Sequence, residues 1–214
     1  MTDRVCTAHQ LNFLPGLSVL ERIRRADVVI WLDAAQYVRH SFVNRNRLAD
    51  GAWMTIPVDE HDTFAPINRV KIADPTGRMR EKIARRLEHE FGTAAAPFAT
   101  ELRKPYEMLA GLNYALIQRL FDALDINVDQ TFQSLLDPMH AVPVWSEDDV
   151  EMPPVKERFA DMAAQVGATV WLSGPSRHFG EEWRFTARGI RIDTYEHEGP
   201  NPSALELLRQ RVAA

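Results

Sequence analysis

The chain has 214 residues, 45% of them hydrophobic, with 25 basic against 30 acidic side chains and a formal charge of -5 at pH 7. That apolar share buries a proper core and suits one α/β domain, or one domain with a helical insertion. The acidic balance excludes a whole-molecule field that would draw nucleic acid or acidic membrane, and leaves only a local basic patch open. Cys6 is the only cysteine, so no internal disulfide forms, and "MTDRVCTAHQ" lacks a basic region followed by an apolar one. No apolar run approaches the roughly 18 residues of a membrane span, so no membrane partner and a cytoplasmic location are expected.

In chain order, "RVCTAH" (4–9) predicts a strand that ends in polar groups, and "LSVLERIRRA" after Pro15 and Gly16 predicts a helix with Leu17, Leu20 and Ile23 at helical spacing. "DVVIWLD" (27–33) is a nearly continuous apolar run, the mark of a strand buried on both faces, and completes a β-α-β unit with a right-handed crossover. "AQYVRHSFVNRNRLADG" then gathers Arg39, His40, Arg45 and Arg47 into a basic loop, followed by two predicted strands, "AWMTIPV" (52–58) and "INRVKIA" (67–73). A helical section over about 78–126 holds one helix that stops at Gly92 and a longer one carrying Leu109, Leu112, Leu116, Leu120 and Leu124 near one face. "NVDQTFQSLL" (127–136) holds a further candidate strand, and 137–154 reads as an exposed acidic, Pro-rich loop in a position that permits a lid. A helix over 154–167 and the strands "ATVWLSG" (168–174) and "GIRIDTYEH" (189–197) close the sheet. The expected fold is thus a single α/β domain over 1–214, with a mostly parallel Rossmann-like sheet and a helical insertion.

Four polar groups fall where such a sheet binds ligands, at the carboxyl ends of its strands. His9, Gln10 and Asn12 lie between the first strand and the first helix. There His9 can act as a general base with Gln10 and Asn12 positioning a substrate; otherwise Asn12 caps the helix and His9 donates to a backbone carbonyl. Asp33, with Gln36 nearby, can meet a ligand hydroxyl or amine, or cap the next turn. Arg39, Arg45 and Arg47 with Asn44 and Asn46 form a fork-donor cluster suited to phosphate or carboxylate. If extended, the stretch puts both asparagines on one side and Arg45 and Arg47 on the other. Ser173, Gly174, Ser176 and Arg177 form a turn with open backbone amides, unless it is an ordinary β-α turn. Glycine-rich dinucleotide or phosphate loops, a nucleophile elbow and paired cysteines are absent, and His61, His89, His140 and His197 lack metal spacing. No metal and no tightly bound cofactor are expected, and Cys6 reads as core.

Taken together, "HQLNFLP", "ADVVIWLDAAQYVRHSFVNRNRL" leading into "WMTIPV", "INRVKI", "LNYALIQRLFDALDI", "ATVWLSGPSRHF", "GIRIDTYEH" and the late "PSALELL" resemble the WbqC-like protein family, in order over almost the whole chain. The resemblance implies a setting in O-antigen, sugar or secondary-metabolite biosynthesis and a role as an acyl or aminoacyl transferase to an amino sugar. It also implies a shared site at His9, Gln10, Asn12, Asp33, Gln36, Arg45, Asn46, Arg47, Ser173 and Gly174. The chain departs from the family pattern at Leu11, Gly16 and Ala34, where proline, tryptophan and a second aspartate are usual, and "EGPNP" replaces a Pro-x-Tyr-x-Gln segment. These departures imply a specialised substrate or weakened activity. The expected reaction moves an acyl group from an activated donor, an acyl thioester or an aminoacyl-tRNA, to a small acceptor, with a tRNA or a carrier protein open as partner. Two alternatives stand beside it: a nucleotidyltransferase-like enzyme using a nucleoside triphosphate, and a ligand-binding or scaffold protein.

Overall fold

The computed structural model describes residues 2–48, 50–62, 64–136, 158–175, 182–199 and 201–206. Its strands are β1 Val5–His9, β2 Val28–Trp31, β3 Arg45–Arg47, β4 Trp53–Thr55, β5 Asp129–Phe132, β6 Val170–Ser173 and β7 Arg191–Thr194. Its helices are α1 Leu17–Arg24, α2 Arg78–Phe91, α3 Ala96–Arg103, α4 Leu109–Leu124, α5 Gln133–Leu136, α6 Phe159–Gln165 and α7 Glu182–Thr186. Contacts group the chain into two compact units: Met1–Gln10, Glu21–Ala35 and Val128–Glu198 form the first, and Leu11–Leu20, Gln36–Asn127 and Gly199–Ala214 the second.

The first unit is built on a parallel five-stranded sheet in the order β5-β2-β1-β6-β7, which makes the fold class α/β. Every residue of β2 and β6 is buried, as expected of inner parallel strands covered on both faces, while the polar β5 and β7 take the edges. From β1 the chain winds outward through β2 to β5, then returns to the other side of β1 for β6 and β7. The direction of winding therefore reverses between β1 and β6, the place where open α/β sheets leave a crevice at their carboxyl ends. Trp171 of β6 anchors the core between Phe159, 5.2 Å away between ring centroids, and Phe185, at 5.4 Å. Cys6 is buried in β1, and burial pushes its thiol up to about 12 against the opposing charge of Arg4, so it belongs to the core.

The second unit joins the β3–β4 hairpin to α2, α3 and α4, which pack in sequence. Leu109, Leu112, Leu116, Leu120 and Leu124 of α4 are all buried. Gly92 ends α2 with φ 58, a left-handed value that favours glycine, and returns its N–H to the Glu88 carbonyl. Asn113 is buried in the middle of α4, and its amide donates at 2.7 Å to both the Leu11 and Val43 carbonyls. One helical side chain thereby pins two irregular segments whose carbonyls would otherwise lack partners.

Three predicted strands are shorter or different. The 52–58 run forms β4 only, paired antiparallel with β3 in its own small sheet. The 67–73 run opens as a 3-10 turn, Ile67–Arg69, because Pro66 lacks an N–H for a ladder and the buried Ile67 and Val70 are three apart, the spacing of a turn. The 127–136 run stops at Phe132, where the Asp33 carboxylate captures Ser134 and starts α5. The loop expected over 137–154 lies outside the described residues. Among the described residues, no helix is long and apolar enough to cross a membrane.

Candidate functional site

The backbone pairing of β1 with β6 ends at Cys6 and Trp171. One residue further, the Thr7 hydroxyl donates to the Leu172 carbonyl at 2.8 Å, and beyond it β1 delivers His9 while β6 delivers Ser173 and Gly174. Arg22 reaches this edge from α1. Its Nη2 donates to the Ala8 carbonyl at 3.3 Å, and a Cβ built on Gly174 would lie 2.3 Å from its Nη1. Only a residue without a side chain leaves room for that guanidinium.

Arg22 is half-buried, its Nε is buried without a hydrogen-bond partner, and no carboxylate pairs with it among the described residues. Burial lowers its pKa, the response of a cation that has lost water and gained no counter-charge. An incoming phosphate or carboxylate would supply that charge. His9 is the second reactive group. Burial first, and then the charge of Arg22, hold its imidazole down at about 4, while a bond to the Gln10 carbonyl works the other way. Nδ1 lies 2.8 Å from that carbonyl, which can only accept, so Nδ1 carries the proton and the lone pair sits on Nε2. At neutral pH the ring is thus an uncharged base beside a cation that has no carboxylate partner among the described residues. Ser173 and Thr194, the last residues of β6 and β7, line a polar cavity of about 330 Å³ with Glu182 and Thr186 of α7 and Arg191 at the start of β7; neither His9 nor Arg22 lines it. The Ser173 hydroxyl donates to the Gly174 carbonyl at 3.0 Å.

Asp33 is buried at the carboxyl end of β2, where one oxygen accepts the Ser134 N–H at 3.0 Å and the other its hydroxyl at 2.6 Å. It therefore holds the start of α5. Ser176 and Arg177 lie outside the described residues.

The remaining candidates belong to the second unit. Asn12 lies five residues ahead of α1 and does not cap it. That role falls to Asn201, whose Oδ1 accepts the Ser18 N–H at 2.9 Å. Gly16 makes room for it, since a Cβ at residue 16 would sit 3.0 Å from the same oxygen. Gly16 and Asn201 therefore meet in space. Asn44 and Asn46 are buried and Arg45 and Arg47 face the other way, as an extended stretch requires. Asn44 donates to the Ile56 carbonyl at 3.1 Å, and Asn46 donates to Leu14 and accepts the Arg47 N–H at 2.7 Å. Arg45 and Arg47 stack on Trp53, at 4.1 and 4.6 Å from its ring centroid. Gln36 is exposed and bridges to Pro66, and Arg39 pairs loosely with Glu60 at 3.7 Å.

Sequence reasoning missed Arg22. Its one signal is its place three residues after Val19, on the flank of the apolar stripe of α1, where an arginine can lay its stem along the core and send its head to a strand end.

An open parallel sheet wound both ways from β1, with a neutral imidazole and a guanidinium that has no carboxylate partner among the described residues near the strand ends where the winding reverses, defines an α/β protein. The chain belongs to the WbqC-like protein family, whose pattern matches residues 10–202. It is similar to Uncharacterized protein Rv1507c of Mycobacterium tuberculosis, with 28% identity over 203 residues that cover 89% of this chain and 81% of that protein. No solved structure matches it.

Proposed function

We propose that this protein is a transferase that forms an amide or ester by moving an acyl or aminoacyl group from an activated donor to a small, anionic, amino-sugar-like acceptor. The observation that carries the reading is the pairing of a neutral His9, proton on Nδ1, with Arg22, which has no carboxylate partner among the described residues. Arg22 holds the phosphate or carboxylate of the acceptor, and Gly174 lets it approach the backbone. As the acceptor nitrogen or oxygen attacks the donor carbonyl carbon, Nε2 takes its proton. The new C–N or C–O bond forms, the bond to the leaving sulfur or oxygen breaks, and the proton passes to that leaving group. An anion on Arg22 also offsets the charge that depresses His9, so the base strengthens when the acceptor is in place. Asp33 acts as a positioning residue through Ser134, and the hydroxyl-lined cavity at Ser173 and Thr194 suits a polyhydroxylated acceptor. The donor brings its own leaving group, so the step draws on no tightly held cofactor.

The test is product detection by mass spectrometry after incubation with acyl thioesters or aminoacyl-tRNA and amino-sugar phosphates. Wild type gives the acylated sugar, His9→Gln lowers kcat by about 10²- to 10⁴-fold, and Arg22→Ala raises the acceptor KM. Undiminished turnover by His9→Gln would overturn the mechanism. Binding without turnover by any variant supports a ligand-binding or scaffold role instead. Arg22 also favours a second reading, since a guanidinium at this crevice suits the phosphates of a nucleoside triphosphate. Pyrophosphate release in the same reactions distinguishes it.

A further inference from the structure

The second unit holds a cavity of about 320 Å³ that the chemistry above does not use. Its size falls in the roughly 300–1,000 Å³ range of small-ligand sites. Phe13, Val19, Phe42 and Leu48 give it mainly apolar walls. Polar groups interrupt the walls, the side chains of Asn46, Asn201 and Ser203 and the carboxylate of Glu206 among them. Asn12 lines the cavity, and its Oδ1 is buried with no hydrogen-bond partner among the described residues. Such an oxygen asks for an N–H or O–H donor. Arg47 also lines the cavity, and Arg45, with a buried and unpartnered Nε, shares the Trp53 ring with it. Neither has a carboxylate partner among the described residues, in a chain whose net charge is -5. Phe42 is 56% exposed and lies 6.1 Å from Trp53 between centroids, so two aromatic faces border the cations.

We propose that this cavity binds an amide-bearing chain that carries a phosphate, the chemistry of a phosphopantetheine arm. The chain lies against the apolar walls, an amide N–H donates to Asn12 Oδ1, and the phosphate meets Arg47 with Arg45 behind it. The inference deepens the transfer reading by naming its donor as a thioester of such an arm, and it rests on that reading for the thioester alone. The arm belongs either to a free coenzyme or to a carrier protein. A free coenzyme adds a base that can stack on Phe42 and Trp53.

The test is calorimetric titration of the full chain with coenzyme A, 4′-phosphopantetheine and pantetheine, without acceptor. Wild type binds coenzyme A at one site, and pantetheine, which lacks the phosphate, binds at least tenfold more weakly. Arg47→Ala abolishes that difference, and its exposed position keeps folding out of the comparison. Asn12→Leu weakens all three ligands by about tenfold. Coenzyme A binding more tightly than 4′-phosphopantetheine assigns the site to the free coenzyme, and equal affinities assign it to a carrier arm. Absence of binding, equal binding of coenzyme A and pantetheine, or wild-type behaviour of Arg47→Ala overturns the proposal. His9→Gln separates the two readings. If it and wild type bind coenzyme A alike but wild type forms no product, or His9→Gln forms product as fast as wild type, the transfer reading fails and the subsite stands. If transfer proceeds from another donor and coenzyme A does not bind, the subsite alone fails.

Discussion

Replacing Gly174 by alanine tests the placement of Arg22 with little else disturbed. The added Cβ would lie 2.3 Å from Arg22 Nη1, whereas relaxed heavy-atom contacts fall near about 3.5–4.0 Å, so the guanidinium must retreat by more than about 1 Å. The obstacle is the tip of a flexible side chain, so the cost is what Arg22 loses on moving. That is its bond to the Ala8 carbonyl, 3.3 Å long and made by a charged donor, together with some packing of its stem. A weak charge-assisted bond of this kind contributes about 1–2 kcal/mol. Urea unfolding in a double-mutant cycle reads the effect. Gly174→Ala should cost about 1–2 kcal/mol in wild type and less than about 0.5 kcal/mol in an Arg22→Ala background. Equal costs in both backgrounds would show that the side chain and Gly174 do not meet, and the site as described would fall.

His9 gives a pH signature. Its folded pKa of about 4 lies below the ordinary 6.5, so the unfolded chain takes the proton first and the folded state loses stability as pH falls from 6.5 towards 4. The gap corresponds to about 3 kcal/mol, so the stability difference between wild type and His9→Gln should shift by that much between about pH 7.5 and pH 4. A constant difference would contradict the burial of the ring. Asp74 runs the opposite way: burial works to raise it, but hydrogen bonds from the Arg80 and Met79 backbone and the Arg80 side chain hold it below its ordinary 3.8. Its contribution is present above 3.8 and disappears as pH falls through the folded value. At neutral pH Asp74→Ala, which strands the buried Arg80, should cost about 3–5 kcal/mol by urea unfolding, and a cost below 1 kcal/mol would refute the buried pair. Asn113→Ala, which orphans the Leu11 and Val43 carbonyls, should cost about 2–4 kcal/mol, and a near-neutral result would refute its pinning role.

What the sequence disclosed depends on range. The apolar runs at 27–33 and 168–174 announce inner parallel strands because burial on both faces leaves no polar alternation to blur the pattern. The 4–9 and 168–174 runs place His9 and Ser173 at the carboxyl edge. Local pattern could not show that the cation of that edge comes from α1, because Arg22 lies in a basic, surface-like stretch and acquires its partners only when β1 and β6 assemble beside it. Nor could it show that Asn46 spends its amide on Leu14, a contact across more than thirty residues. The 67–73 segment misled because alternation over so few residues fits either a strand or a turn, and Pro66 decided between them.

The most direct measurement is a nitrogen-15 titration of the His9 ring in histidine-labelled protein, assigned by its loss in His9→Gln, with and without inorganic phosphate. An Nδ1-protonated neutral ring is expected, with a midpoint near 4 that rises when phosphate is added. In Arg22→Ala the midpoint is expected to be already raised and insensitive to phosphate. An ordinary midpoint near 6.5, or one that phosphate leaves unmoved in wild type, would contradict the claim that His9 and Arg22 form one anion-dependent site.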